Sequence, residues 1–182
     1  ATFVVFGRRV TLRNDAVQLD YRIENLSVNP TPFLWAWHAL FSWKQGDRIH
    51  FPQGVKQCVT PGGDLLPWPE SMPGGDLSTA HFANGVTPAA KVFVGPLSEG
   101  KARIVTKSGA TISLTWPASL LPHAGIWITR GFWKGLHHWA IEPTNAPVDR
   151  LSDIAPASSL TVLKPREIRN WSLTARIGQR VG

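Results

Sequence analysis

Cysteine is nearly missing from this chain. Cys58 stands alone among 182 residues, which excludes an intrachain disulfide and any zinc site built on cysteine pairs. A single thiol fits a reducing compartment, so the cytoplasm is the expected location. Runs of positive charge are missing too. Nineteen Lys+Arg against twelve Asp+Glu give a net charge of +7, yet Arg8 and Arg9 form the only adjacent basic pair. Phosphate-backbone binding needs a clustered basic stripe with interleaved aromatics, so no nucleic-acid partner is expected. An anionic small molecule such as a sugar phosphate stays compatible with the charge. The longest aromatic and aliphatic stretch, Phe33 to Trp43, is broken by His38 and Ser42 and is too short to cross a bilayer, so no membrane partner is expected. The chain also lacks an amphipathic helical stretch, an internal repeat, a Gly-x-Ser-x-Gly elbow and histidines at the i, i+4 spacing of a helical zinc site; no metal site is expected.

What is present is β-patterning and tryptophan. Nine Trp and eight Phe accompany a single Tyr, a bias that suits sheet cores and flat sugar platforms alike. In Val17–Glu24 odd positions are apolar and even ones polar, the period of a strand with one wet face. Asn25 to Pro32 supplies turn residues and two prolines. Phe33 to Phe41 is apolar on both faces and predicts a strand covered on both sides. Residues 44 to 88 interleave prolines (Pro52, Pro61, Pro67, Pro69, Pro73, Pro88) with glycines and predict a long irregular region. A hairpin is predicted from Ala102–Thr106 and Thr111–Trp116 around Lys107–Ala110. Ile126–Thr129 and Trp139–Ile141 read as short buried strands, and Trp171 to Ile177 as a closing alternating strand. Many short strands with Gly/Pro turns predict one all-β sandwich domain, mostly antiparallel, over residues 1–182.

Two residues break the apolar pattern. His38 interrupts the run from Pro32 through Phe41, where a buried imidazole must find a partner or stay neutral. It is either a core histidine satisfied by a backbone carbonyl or an acid–base group. Glu142 stands where the apolar Trp139-Ala140-Ile141 meets Pro143, and is either a turn-capping group or a poised carboxylate. The remaining histidines (His50, His81, His123, His137, His138) show no such placement, and His137 and His138 would face opposite sides of a strand.

Three segments, in order, resemble the aldose 1-epimerase (galactose mutarotase-like) family. Asn29-Pro30-Thr31-Pro32-Phe33-Leu34-Trp35-Ala36-Trp37-His38-Ala39-Leu40-Phe41 resembles its Asn-turn-strand ending in His-x-x-Phe. Ala140-Ile141-Glu142-Pro143 is similar to its apolar-Glu-Pro segment. Leu163-Lys164-Pro165-Arg166-Glu167, before the Trp171 strand, resembles its closing Leu-x-Pro-Gly-Glu, with Arg166 in place of the glycine. The resemblance implies a galactose mutarotase-like supersandwich and a cofactor-free isomerase acting on a hexose or hexose phosphate. It implies that Glu142 is the base on the anomeric hydroxyl and His38 the acid on the ring oxygen, one on either side of the sugar. It also implies an acidic residue gripping sugar hydroxyls, for which Asp64 and Asp76 are the candidates, and stacking walls, for which Trp68 and Trp127 are.

The family's upstream half has no counterpart here, and Ala1-Thr2-Phe3-Val4-Val5-Phe6 reads like the middle of a strand. The chain is therefore expected to be the C-terminal portion of a longer domain, completed by a missing N-terminal segment or by pairing with another copy. Two alternatives stand beside the epimerase: a non-catalytic carbohydrate-binding module of the same fold, and a fragment of a polysaccharide-processing enzyme.

Overall fold

The computed structural model of the protein describes residues 3–69, 75–80, 89–154 and 161–178. Among these the strands run, in chain order, β1 (Val4–Arg13), β2 (Ala16–Asn25), β3 (Thr31–Pro32), β4 (Ala39–Ser42), β5 (Arg48–His50), β6 (Gln57–Val59) and β7 (Leu65–Pro67). There follow β8 (Ala89–Val94), β9 (Lys101–Val105), β10 (Thr111–Thr115), β11 (His123–Trp133), β12 (Leu136–Thr144), β13 (Val162–Leu163) and β14 (Ile168–Gly178). One six-stranded sheet has the order β1-β2-β14-β10-β9-β5 and a second has β4-β12-β11-β8-β6-β7. The pairings are antiparallel, with β3 and β13 forming a small two-stranded ladder. No described helix is long and apolar enough to cross a membrane.

The alternation of β2 is what places it in the first sheet. Leu19, Tyr21 and Ile23 are buried while Gln18, Asp20 and Arg22 are half-buried. Asn14 adopts the left-handed conformation (φ 49°) and lets β1 turn back onto β2 within two residues. Across the other edge of β2, Tyr21 pairs with Trp171 of β14, and their rings stack at 5.5 Å. Trp35 closes on both edge-on, at 4.8 and 5.0 Å, an arrangement that aromatic quadrupoles favour.

In the second sheet, β11 lies between β8 and β12. Ile126, Ile128, Trp139 and Ile141 are fully buried in the hydrophobic core; burying each such aliphatic side chain contributes about 1.5–3 kcal/mol. Because side chains alternate across a strand, their neighbours Gly125, Trp127, Ala140 and Glu142 lie on the opposite face of the sheet. Register places Gly125 between Glu142 of β12 and Phe93 of β8, and Trp127 between Ala140 and Lys91.

Three sequence expectations change. Phe33 to Phe41 is not one strand covered on both sides. Its backbone is divided between partners: Phe33 N–H donates to Thr161 O, Trp35 N–H to the Asn145 side chain, and Trp37 N–H to Pro143 O, before β4 begins at Ala39. Phe33 is buried, but Ala36, His38 and Leu40 are exposed. Second, β12 does not end at Glu142; it runs through Pro143 to Thr144, with the proline carbonyl accepting from Trp37. Third, the irregular region carries β5, β6 and β7, while residues 70–74 and 81–88, including His81, lie outside the described residues. The hairpin of β9 and β10 forms with Val105 opposite Thr111, and the closing strand extends to Ile168–Gly178.

His123, at the start of β11, is held below the ordinary histidine pKa by burial, and its Nδ1 has no hydrogen-bond partner. The unfolded chain therefore binds the extra proton first. The contribution of His123 to stability is complete above about pH 6.5 and is lost as pH falls below it. The urea midpoint of the parent is expected to drop more between pH 7.5 and 5 than that of His123→Gln. Equal losses would contradict this assignment.

Candidate active site

Glu142 is the point where an acid has been built into the sheet. Its side chain is only 4% exposed, and such burial is costly for a carboxylate without compensating partners. Lys91 of β8 supplies one: its Nζ donates to Glu142 Oε2 at 2.6 Å. Lys91 also meets Asp149 Oδ1 at 3.2 Å and lies 5.2 Å from the centre of the Phe93 ring. The second oxygen, Glu142 Oε1, is buried without a hydrogen bond. His38 Nε2 stands 3.3 Å from it, close in distance but outside hydrogen-bond geometry. The His38 side chain is 49% exposed.

These groups line one pocket of about 390 Å³, walled by Leu34, Ala36, Phe93 and Val148 beside His38, Lys91, Glu142 and Asp149. That volume lies within the ~300–1,000 Å³ span of small-molecule sites. A larger hollow of about 790 Å³, near β6 and β7, is lined by Pro52, Gly54, Val55, Pro67, Gly95 and Pro96 among others. Its lining carries Lys56 but neither a carboxylate nor a histidine. A third hollow, of about 610 Å³, has His50 and Glu99 among its lining residues, but both lie on the exposed surface, whereas the smaller pocket holds a buried carboxylate beside a histidine.

His38 and Glu142 thus meet in space, although they are far apart in sequence. They do so in contact rather than on either side of a ring-sized gap; the hollow lies beside the pair. Trp127 is next to them, its ring 5.8 Å from the His38 ring. The other three residues proposed from the sequence lie away from this pocket's lining. Asp64 is in an exposed turn and accepts from the Thr60 hydroxyl. Asp76 accepts from Ser78 and Thr79. Burial would raise its pKa, but these hydrogen bonds outweigh that and hold it below the usual carboxylate value. Trp68 packs edge-on against Phe51 at 5.7 Å.

Lys91, Asp149 and Gly125 were not legible as site residues. Gly125 faces Glu142 across the ladder, and a Cβ there would come within 3.2 Å of both Glu142 Oε2 and Phe93 Cε1. The glycine therefore leaves the space that the carboxylate occupies. The strand read from the sequence began at Ile126, so Gly125 fell just outside it and gave no sign of the close approach that a glycine within a strand marks.

No family model and no curated protein matches the chain. Its fold, by contrast, is shared with the galactose mutarotase-like proteins. A structure from Synechocystis sp. superposes with a TM-score of 0.77 at 15% identity, covering 98% of this chain and 56% of that one. A candidate aldose 1-epimerase from Escherichia coli K12 superposes with a TM-score of 0.75 at 18% identity, covering 98% and 62%. A galactose mutarotase-like protein from Lactobacillus casei gives 0.71 at 16%, covering 97% and 64%. The chain thus spans less than two thirds of the length of the structures it resembles.

Placing a methyl group opposite Glu142 overpacks a tight site, which typically costs about 1–3 kcal/mol. Gly125→Ala is expected to lower the urea unfolding free energy by that amount. A variant as stable as the parent would show that the space is not needed.

Proposed function

We propose that the pocket performs aldose 1-epimerase chemistry, interconverting the α and β anomers of a hexose or hexose phosphate. The observation that carries this reading is the pairing of a buried carboxylate oxygen, free of hydrogen bonds, with a half-exposed imidazole at one hollow. The shared fold is consistent with it, although fold alone does not determine activity.

In the proposed cycle, Glu142 Oε1 removes the proton of the anomeric hydroxyl while His38, protonated, donates to the ring oxygen. The C1–O5 bond breaks to give the open-chain aldehyde, and the C1–C2 bond rotates. On reclosure O5 attacks the other face of the carbonyl, its proton returns to His38, and Glu142 returns its proton to the new anomeric oxygen. Nothing is consumed. The direct contact between His38 and Glu142 requires the imidazole to swing aside as the sugar enters, and its exposed side chain has room to do so. Trp127 is then a wall for the sugar's apolar face.

A sugar-binding module without catalysis is the second reading. It is favoured by the nine tryptophans, whose flat faces suit sugar platforms without any need for proton transfer. Equilibrium sugar binding with no rate enhancement would select it.

Polarimetry of freshly dissolved α-glucose, α-galactose and glucose 6-phosphate tests the proposal. The parent should accelerate relaxation of at least one sugar. Glu142→Gln and His38→Asn should each lower the rate by about 10²- to 10⁴-fold, the usual worth of acid–base assistance. If both variants relaxed the sugar as fast as the parent, the roles given to these residues would be wrong.

A further inference from the structure

We infer that Lys91 is the positioning residue that commits one oxygen of Glu142 and leaves the other as the working base, with Asp149 holding Lys91 in turn. This rests on the acid–base reading proposed above and deepens it by assigning the two carboxylate oxygens separate tasks.

A carboxylate can turn about its terminal bond and present either oxygen, in more than one plane, to a reacting group. Here that freedom is removed from one side. The ammonium of Lys91 makes a short charged hydrogen bond to Oε2, the kind that is both stronger and more directional than a neutral one. The absence of a side chain at residue 125 keeps room for the same oxygen, since a Cβ there would come within 3.2 Å of it and of Phe93 Cε1. The bond crosses the sheet: Lys91 is on β8, Glu142 on β12, and the intervening strand β11 contributes a glycine where a Cβ would crowd the accepting oxygen. Oε1 is left buried, unbonded and within 3.3 Å of His38.

Lys91 is itself occupied. Its ammonium has Glu142 on one side, Asp149 on another and the face of Phe93 nearby, and its side chain is 18% exposed. It is therefore placed to orient, rather than to shuttle protons or to grip a ligand phosphate. Asp149 is 48% exposed and forms the outer, more replaceable end of this relay.

The test compares Lys91→Met, Lys91→Arg and Asp149→Asn with the parent, by crystal structure and by sugar mutarotation kinetics. In Lys91→Met the Glu142 carboxylate is expected to turn from its parental plane. Its kcat should fall on the order of 10- to 100-fold with KM nearly unchanged, the pattern of an interaction used in the transition state. Lys91→Arg should restore most of kcat, because a guanidinium can make the same charged bond. Asp149→Asn, which leaves the inner bond intact, should give a smaller loss. Should Lys91→Met fail to fold, the Arg and Asn variants still decide: a kcat for Asp149→Asn equal to the parent's would overturn the relay. If the parent does not turn over sugar, the epimerase reading falls, while the carboxylate plane still judges Lys91. An unmoved carboxylate in Lys91→Met, or a kcat within about twofold of the parent's, would overturn the inference.

Discussion

A carboxylate buried on the face of a β-sheet is stable only if something answers its charge, and in this protein the answer is the ammonium of Lys91 at 2.6 Å. Bringing both ions out of water costs several kcal/mol each, so the pair demands good geometry. That geometry is supplied by three strands at once: β12 carries the carboxylate, β8 the ammonium, and β11 the glycine between them. The core face of the same strands, with Ile126, Ile128, Trp139 and Ile141 wholly buried, fixes the register that makes this alignment possible. A slip by one residue would send Glu142 into the apolar interior. The packing of one face of the sheet therefore sets the chemistry available on the other.

Much of the architecture was readable from residue order. The alternation in β2 and β14 has its physical counterpart in a buried stripe of Leu19, Tyr21, Ile23, Trp171 and Leu173, and the turn at Lys107–Ala110 does join paired strands. The Phe33–Phe41 segment was misread for an identifiable reason. Apolar residues on both faces suggest burial on both faces, but small and aliphatic side chains also line pockets, and here the side bearing Leu34, Ala36 and His38 opens onto one. Pro143 misled in the opposite sense. It looked like the end of a strand, yet β12 continues through it to Thr144 despite the missing N–H, and its carbonyl accepts from Trp37 N–H.

The candidate site was legible only in part. His38 and Glu142 stood out because each is polar within an apolar setting. Lys91 did not, since one lysine in an apolar strand resembles an ordinary wet-face residue until register shows what lies diagonally across from it. Gly125 was silent for the same reason. Asp64 and Asp76 illustrate the converse problem: an acidic residue in a Gly/Pro-rich loop suits a ligand and a turn equally well, and both satisfy local turns. The fold is held in common with structures at 15–18% identity, which is what a sandwich defined by period and register, rather than by particular side chains, allows.

The central claim is that a sugar's anomeric centre lies against the unbonded oxygen of Glu142. A crystal structure with a saturating hexose tests it most directly. The account predicts the anomeric hydroxyl within about 3.2 Å of Oε1, the ring oxygen within reach of a displaced His38, and Lys91 still on Oε2. A hexose bound elsewhere, with His38 and Glu142 still in contact, would contradict it.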